Sequence, residues 1–172
     1  LFFGVLFYEK GEKIMEKAGR VLLLICFWVY AVLILVPVRP SGLTVTFLDV
    51  GQGDGILLRS AKKTVLVDCG SSQQKKVGEN VLVPVLKSQG VTKIDCAVMT
   101  HGDQDHINGI RYLLEHPESG VTIGSLMMPA AGKDEIYETM ADLAGKRKIP
   151  VFYAGTGDVW NDFPGTGMTM KC

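Results

Sequence analysis

Four side chains that commonly bind metal ions lie close together in the segment from Thr100 to Gly109. Its sequence is T-H-G-D-Q-D-H-I-N-G, so imidazoles and carboxylates are mixed in one short stretch. Such groups on a tight turn converge on a cation without a long-range folding cost, and this mixture suits zinc, manganese or iron. The segment therefore predicts a metal site whose ligands are His101, Asp103, Asp105 and His106.

These four ligands are enough for two ions. With His101 and Asp103 on one ion, and Asp105 and His106 on a second, the segment predicts a two-metal site with ions about 3.5–4 Å apart. The alternative is a polar loop in which Asp105 caps the following helix and the histidines are solvated or support other groups. Four ligands at the end of a strand favour the metal site.

The remaining histidine and the cysteines are not predicted ligands. His116 lies beside Pro117 at a predicted helix end, which is typical of a surface residue or a partner of the helix dipole. The cysteines form no C-x-x-C pair and no dense framework, so neither a zinc ribbon nor a disulfide scaffold is indicated. Buried thiols are the favoured interpretation of Cys26, Cys69, Cys96 and Cys172.

The charge balance excludes a broad electrostatic footprint for nucleic acid. The 172 residues include 18 acidic and 18 basic side chains, whereas such footprints need a clustered excess of Lys and Arg. A local basic groove remains open, since a groove along a phosphate backbone needs only a few well-placed cations. Its candidates, which are equally typical of exposed turns, are Lys62, Lys63, Lys75 and Lys76.

Strands and helices that would position the metal segment follow Pro40-Ser41-Gly42. The predicted strands are residues 43–50, 55–59, 64–68, 94–100, 121–128 and 150–153, and residues 168–171 also have a strand pattern. The predicted helices are residues 79–89, with a first turn near Pro84, 107–115 and 133–146. Strands followed by alternating helices and strands predict an α/β layered domain. The alternating glycines 51, 53 and 55 are typical of a tight turn that needs positive backbone dihedrals.

An apolar segment precedes this domain. Residues 21–36 contain no charged or strongly polar side chain, and with their neighbours they approach the roughly 20 residues that cross a bilayer. A transmembrane helix over 21–38 is therefore predicted. The alternative, a buried core helix, would have to hide an apolar surface on all sides, including Phe27, Trp28 and Tyr30.

The basic residues around this segment predict its orientation. Lys10, Lys13, Lys17 and Arg20 precede it, and Arg39 alone follows closely. Because positive residues favour the cytoplasmic side, the later domain is predicted outside the cytoplasm. The predicted organisation is the end of a membrane region with a basic cytoplasmic linker (1–20), a transmembrane helix (21–38) and a hydrolase domain truncated at its C-terminus (43–172). Residues 1–7 fit either an earlier membrane segment or a short buried strand.

Three segments together resemble the metallo-β-lactamase superfamily, and more narrowly the hydrolase-like domain of ComEC-type competence proteins, the DNA-internalisation channels. They are F-L-D-V-G-Q-G-D from Phe47, V-L-V-D-C-G from Val65, and the segment from His101 to Gly109. The D-V-G-Q-G-D element is the most specific of the three. The resemblance covers about three quarters of the chain.

The resemblance implies the N-terminal part of an αββα sandwich, in which a metal-activated water attacks a phosphodiester or another ester. It implies that His101 binds the first metal, that Asp105 and His106 serve the second, and that Asp68 supports the site. Asp105 would also orient the attacking water, which makes it the predicted catalytic residue. The loop with Asp49, Gln52 and Asp54 would lie near the metal cleft, supporting the site or contacting substrate. A turn with no further role is an equal alternative for this loop.

The chain departs from the superfamily pattern in two places. Asp103 stands where the usual H-x-H-x-D-H loop has its second histidine, and this added carboxylate makes the site harder, so manganese or magnesium gains ground on zinc. The predicted cofactors are two divalent ions, manganese or zinc, with magnesium as a further candidate. The superfamily also takes ligands from later segments, whereas no histidine follows His116. A fragment that ends before those ligands, and is inactive alone, is the favoured interpretation. A domain that has lost its site is the alternative.

Three functions follow as hypotheses. The first is a hydrolase anchored in the bacterial cell membrane that cleaves DNA during uptake with two divalent ions, beside other competence-machinery proteins. The second is a non-catalytic module that guides DNA through the transport channel. The third is a small-molecule hydrolase of the lactone or β-lactam type, which the membrane segment disfavours.

Overall fold

The computed structural model describes residues 2–35, 40–131, 134–163 and 168–172. It divides the chain into two compact units, 1–37 and 38–172. The first contains one helix, α1 (Phe2–Leu35). Its stretch Met15–Ile34 is, by length and composition, able to cross a membrane, and the structure buries none of this apolar stretch. The alternative of a buried core helix therefore has no support in the structure.

One sequence prediction for this region is wrong, and part of another lies outside the described residues. The alternative of a short strand over residues 1–7 is wrong, because the helix begins at Phe2 and continues through the basic linker. The last part of the predicted transmembrane segment, residues 36–38, lies outside the described residues, as does Arg39. The described part of α1 turns Phe27, Trp28 and Tyr30 outward, each more than half exposed.

The second unit contains short strands and three α-helices within its described residues. The strands are β1 (Thr44–Phe47), β2 (Ile56–Arg59), β3 (Thr64–Val67), β4 (Lys93–Ile94), β5 (Cys96–Val98), β6 (Thr122–Ile123), β7 (Leu126–Pro129), β8 (Val151–Ala154), β9 (Val159–Phe163) and β10 (Met168–Lys171). The helices are α2 (Val83–Ser88), α3 (Gln104–Glu115) and α4 (Glu135–Lys146), with a π-helical segment, Gly78–Leu82, before α2 and a 3₁₀ turn, Pro117–Ser119, after α3.

The main sheet has six strands in the order β1-β2-β3-β5-β7-β8. The β1–β2 and β2–β3 pairs are antiparallel, and the β3–β5, β5–β7 and β7–β8 pairs are parallel. A separate parallel pair joins β4 to β6, and β9 and β10 form an antiparallel pair. The parallel half is built from strand–helix–strand units, as an α/β fold requires.

Side chains alternate across the main sheet and divide its apolar residues between two cores. On one face, Leu66 joins a buried cluster with Leu86 of α2, Ile110 of α3 and Met140 of α4. On the other face, Val65, Cys96, Val98 and Met127 form a smaller cluster, against which Trp160 and Met170 of the β9–β10 pair pack. The layers are therefore helices, sheet and a second β layer, which confirms the predicted fold class.

Close contacts hold the start of α3 against the end of β3. The Cys69 amide donates to the His106 carbonyl at 2.7 Å, and the Gly109 amide donates to the Cys69 carbonyl at 2.7 Å. A Cβ on Gly70 would lie 2.2 Å from the Asp105 carbonyl carbon, which is too close for any side chain. The two segments can therefore approach this closely only because residue 70 is glycine.

The start of α3 differs from the sequence prediction. The helix begins at Gln104 rather than at residue 107, with Asp103 in extended conformation (φ −73°, ψ 147°) as the residue before its first turn. The alternative in which Asp105 caps the helix is wrong, because Asp105 lies inside the first turn. Two of the predicted ligands, Asp105 and His106, are therefore on a helix that tertiary contacts extend toward the strands.

Other strand and helix boundaries also differ from the sequence prediction, each for a local reason. The predicted strand 94–100 is divided at Asp95, whose carbonyl accepts a hydrogen bond from Ser125 Oγ at 2.9 Å, and the strand 121–128 is divided at Gly124 and Ser125. Before Pro84, the predicted helix 79–89 widens into its π-helical segment. Proline lacks an amide proton and its ring crowds the carbonyl four residues back, which a wider turn relieves. Strand β9 was not predicted, whereas β10 confirms the pattern of residues 168–171.

Candidate metal centre

Asp68 is a buried carboxylate at the end of β3, with 4% of its surface exposed. The Thr100 amide donates to its Oδ1 at 2.8 Å, and the Thr100 hydroxyl donates to its Oδ2 at 2.6 Å. Among the described residues, no Lys or Arg approaches it closely enough for an ion pair; its recorded ion-pair partner is His106. Burial of a carboxylate without a cation is costly, so this position favours a bound positive charge.

The backbone of Asp68 is itself unusual. Its φ is +52°, in the left-handed region that side chains other than glycine rarely adopt. Aspartate tolerates this region better than most residues, at a cost of about 1 kcal/mol. The turn aims the carboxylate back across the carboxyl ends of β3 and β5, where open α/β sheets commonly bind ligands.

Two imidazoles lie against this carboxylate. The rings of His101 and His106 have centroids 3.6 Å apart. His106 Nδ1 lies 3.1 Å from Asp68 Oδ2, and His101 Nδ1 lies 2.9 Å from the Thr100 hydroxyl. Because that hydroxyl gives its proton to Asp68, it accepts from His101 Nδ1, and His106 Nδ1 donates to the carboxylate. Both Nε2 atoms then keep a free lone pair, which is the form that binds a metal.

Asp68, His101 and His106 together offer one ligand atom each, all within 4.8 Å of one another. Imidazole nitrogen and carboxylate oxygen are ligands for zinc and for manganese. A catalytic ion typically has three protein ligands and an open position for water. The donor set therefore fits a divalent ion, with Asp68 either next to it or orienting His106.

The predicted ligands Asp103 and Asp105 lie beside this group rather than within it. Asp103 Oδ2 is 3.7 Å from His101 Nε2, and its side chain is 78% exposed. Asp105 is partly buried in the first turn of α3 and lines a neighbouring cleft. The assignment of these carboxylates to two ions, and of a catalytic role to Asp105, stays a prediction.

The glycine-rich loop before β2 packs onto the metal segment. Gly51 and Gly53 have φ values of +76° and +154°, so the predicted tight turn is present. A Cβ on Gly53 would lie 2.3 Å from the Gly70 carbonyl oxygen and 2.6 Å from that of Asp105. Glycine here serves both the turn and close packing, so this segment does more than reverse the chain.

The three polar side chains predicted in this loop are placed differently. Asp54 Oδ2 lies 3.6 Å from His106 Nδ1, so Asp54 reaches the rim of the group. Gln52 lines the cleft beside Asp105, while its carbonyl accepts the Ser72 amide at 2.8 Å. Asp49 is exposed and does not belong to the group of three ligands.

Two residues outside the predicted set contribute to the centre. Thr100 joins Asp68 to His101 through one hydroxyl, a role that follows from the end of β5 lying beside the end of β3. Tyr137 of α4 packs on Gly102, where a Cβ would lie 3.3 Å from its Cζ. Partial burial, and then the charges of Asp134 and Asp103, raise the pKa of Tyr137. Thr100 adjoins His101 in sequence, but no local signal marks Tyr137.

The other histidine and the thiols are accounted for elsewhere. His116 stacks on Tyr112 at 4.3 Å and lies 2.6 Å from Glu118 Oε1, as befits a surface residue. Burial, and then the charge of Asp68, raises the pKa of Cys69 to about 12, and burial also raises that of Cys96. These two cysteines are buried as predicted, whereas Cys26 and Cys172 are exposed, contrary to prediction.

Comparison with known proteins adds a family assignment to this geometry. Residues 48–162 match the profile of the Metallo-beta-lactamase superfamily. The chain is 33% identical over 106 residues to ComE operon protein 3 of Bacillus subtilis strain 168, and 33% identical over 103 residues to competence protein ComA of Neisseria gonorrhoeae. These alignments cover 54% and 60% of this chain, but 14% and 13% of the two relatives. The chain thus spans a small part of the length of the curated relatives it matches.

Proposed function

The chain belongs to the metallo-β-lactamase superfamily, and we propose that it is a membrane-anchored, metal-dependent hydrolase domain that cleaves phosphodiester bonds during DNA uptake. The uptake role is supported by the 33% identity to ComE operon protein 3 and to competence protein ComA, and by the sequence motifs that resemble the ComEC-type domain. The hydrolytic role rests mainly on one observation. Asp68 is a buried acid without a Lys or Arg partner in the described chain, and two histidines lie against it.

The residues of this centre would divide the work as follows. His101 and His106 bind through Nε2, while Thr100 and Asp68 hold their other ring nitrogens and fix both rings. A divalent ion held by these residues would supply positive charge at the phosphate and would activate the attacking water. Asp105 and Asp103 complete the proposed set for two ions, manganese or zinc, with magnesium as a third candidate.

The location in the cell is part of the same proposal. In this proposal helix α1 is the membrane anchor, a role that its apolar stretch supports, and the basic residues before that stretch favour a domain outside the cytoplasm. The proposed partition keeps residues 1–20 as linker, 21–38 as the span and 43–172 as the hydrolase domain. DNA and other proteins of the competence machinery are the proposed partners.

The test is cleavage of single-stranded DNA by the full-length protein in detergent, with manganese present. His101→Ala and His106→Ala should each abolish cleavage, because each removes an imidazole of the candidate centre. His116→Ala is the matched control and should retain activity, since His116 interacts with Tyr112 and Glu118 outside the centre. Manganese content of each variant, measured by elemental analysis beside its circular dichroism spectrum, separates loss of metal from loss of fold.

The outcomes distinguish the alternatives. Cleavage that the first two variants lose and the control keeps supports the hydrolase. A folded, metal-loaded protein that binds DNA without cleaving it would instead be a guiding module. Hydrolysis of lactones or β-lactams without any action on DNA would make it a small-molecule hydrolase.

A further inference from the structure

A cleft of about 480 Å³ opens beside the candidate metal centre. Its volume falls within the range of about 300–1,000 Å³ typical of small-ligand sites. The wall is continuous with the centre through Asp105, which precedes His106 in the chain. Every residue that lines it is polar or charged, and among them are Gln52, Ser72, Lys75, Gln104 and Asn108.

Lys75 supplies the cation of this cleft. Of the four lysines that the sequence singled out, Lys63 pairs with Asp95 at 3.1 Å and Lys76 pairs with Glu79 at 3.0 Å. Within the described residues, no carboxylate lies within ion-pair distance of Lys75, and the acid that shares the cleft with it is Asp105. Lys62 likewise has no recorded ion pair, but it lies in the β2–β3 turn, at the opposite end of β3 from Asp68.

Hydrogen bonds to main-chain groups hold the walls of the cleft together. Ser72 donates through its amide and its hydroxyl to the Gln52 carbonyl, at 2.8 and 3.2 Å. The Asn108 side chain accepts the Ser71 amide at 3.2 Å and donates to the Ser71 carbonyl at 2.9 Å. These contacts connect the glycine-rich loop, the segment after β3 and helix α3. They hold Gln52, and the start of the segment that leads to Lys75, against the metal segment.

From this arrangement we infer that the cleft is a subsite for a phosphate of a nucleic-acid strand, adjacent to the phosphate attacked at the metal centre. Lys75 contacts the phosphate oxygens as a point charge, and the amide groups of Gln52 and Gln104 donate hydrogen bonds to the same backbone. Contacts of this kind position a strand without selecting its sequence. The inference rests on the proposed function for the identity of the strand, and it concerns binding rather than hydrolysis.

The experiment measures binding in EDTA, where no metal-dependent cleavage occurs. Full-length protein in detergent is titrated into a fluorescein-labelled thymidine decanucleotide at several KCl concentrations, and affinity is read from fluorescence anisotropy. The variants are Lys75→Gln, which removes the charge, and Lys75→Arg, which restores it. Lys62→Gln is the matched control, because it removes an equally exposed turn lysine far from the cleft.

One lost phosphate contact should reduce the slope of log affinity against log salt by about 0.7 for a single strand. We expect this reduction, with weaker binding at low salt, for Lys75→Gln alone; Lys75→Arg and Lys62→Gln should keep the slope of the unmodified protein. A decacytidine strand should respond in the same way. An unchanged slope in Lys75→Gln, an equal change in Lys62→Gln, or no measurable binding overturns the subsite. If the slope changes but manganese-dependent cleavage is absent, the subsite stands and the hydrolase proposal fails.

Discussion

The two ends of the β3–β5 pair each carry a carboxylate that ties the strands together, yet the two acids have different neighbours. At the amino ends, Asp95 accepts the Thr64 amide at 2.9 Å, and Lys63 lies 3.1 Å from its Oδ1. At the carboxyl ends, Asp68 accepts the Thr100 amide at 2.8 Å, and the side chain that pairs with its Oδ2 is the His106 imidazole. One acid is neutralised by the protein's own lysine. The other has no Lys or Arg partner among the described residues.

The two acids differ in their charged neighbours and in their burial, although both accept a backbone amide of the neighbouring segment. Asp95 keeps 16% of its side chain exposed, has Lys93 at 4.0 Å in addition, and needs nothing further. Asp68 is more deeply buried and has two histidines rather than lysines around it. A neutral imidazole does not compensate the negative charge of Asp68. A divalent ion would therefore be stabilised more at the carboxyl ends of the β3–β5 pair than at the amino ends.

The largest expected effect concerns the packing of the two ends. Gly70→Ala should destabilise the domain by about 2–3 kcal/mol, because its Cβ would meet the backbone of Asp105 and His106 at 2.2 and 2.3 Å. Gly124→Ala, at the other end, should cost about 1 kcal/mol, since its closest backbone neighbour, the Asp95 carbonyl oxygen, is 2.9 Å away. Urea denaturation of both variants measures this, and equal losses would mean that the two ends are packed alike.

Asp68→Asn should weaken manganese and zinc binding about 10–100-fold, the loss typical of groups that orient metal-binding histidines. Asparagine keeps the shape and tolerates the positive φ of residue 68, so the fold should survive. Isothermal titration calorimetry gives the affinities, and Asp95→Asn is the control that should leave them unchanged. Similar losses in both variants would erase the proposed distinction between the two acids.

Substitution of Asp95 should lower the stability of the fold and leave metal affinity unchanged. Asp95→Ala removes the acceptor of Lys63 and of the Thr64 amide, and should cost about 1–2 kcal/mol of unfolding free energy. Metal affinity should not change. Denaturation in EDTA checks the first statement; a metal-free Asp68→Asn that is destabilised more than Asp95→Ala would contradict it.

The smallest effect is expected at Thr100. Thr100→Val removes the hydroxyl that donates to Asp68 and accepts from His101, and should reduce metal affinity about tenfold or less. Thr64→Val is the matched control, because residue 64 contacts its acid through the backbone amide, which valine retains. Titration calorimetry again decides, and equal affinities for the two valine variants would remove Thr100 from the centre.

Much of the fold was predictable because its strands and helices have strong local patterns. The β-branched strands around residues 44–67, and the segments 107–115 and 133–146 that belong to α3 and α4, were assigned to the right type of element. The boundaries were not predictable where tertiary contacts decide them. The division of a strand at Asp95 depends on Ser125, thirty residues later, and the early start of α3 depends on contacts with Cys69 and Gly70.

The candidate site was likewise predictable from the sequence only in part. The cluster His101 to His106 was visible because its members are adjacent in sequence, and Asp68 was implied through the family resemblance. The sequence did not predict that His101 and His106 face each other, nor that Asp103 stays exposed, since both depend on where α3 begins. Nor could it separate Lys75 from the other lysines, because their acidic partners are set by packing and by helix geometry.

The most direct test of the account is anomalous diffraction from crystals of the protein soaked in manganese or zinc. We expect a peak between Asp68, His101 and His106, with each histidine Nε2 at the usual distance of about 2.0–2.2 Å from the metal ion. A second peak beside Asp105 would extend the site to two ions. A peak at Asp95, or none at the histidines under saturating metal, would contradict the claim that the carboxyl end of the β3–β5 pair is the metal centre.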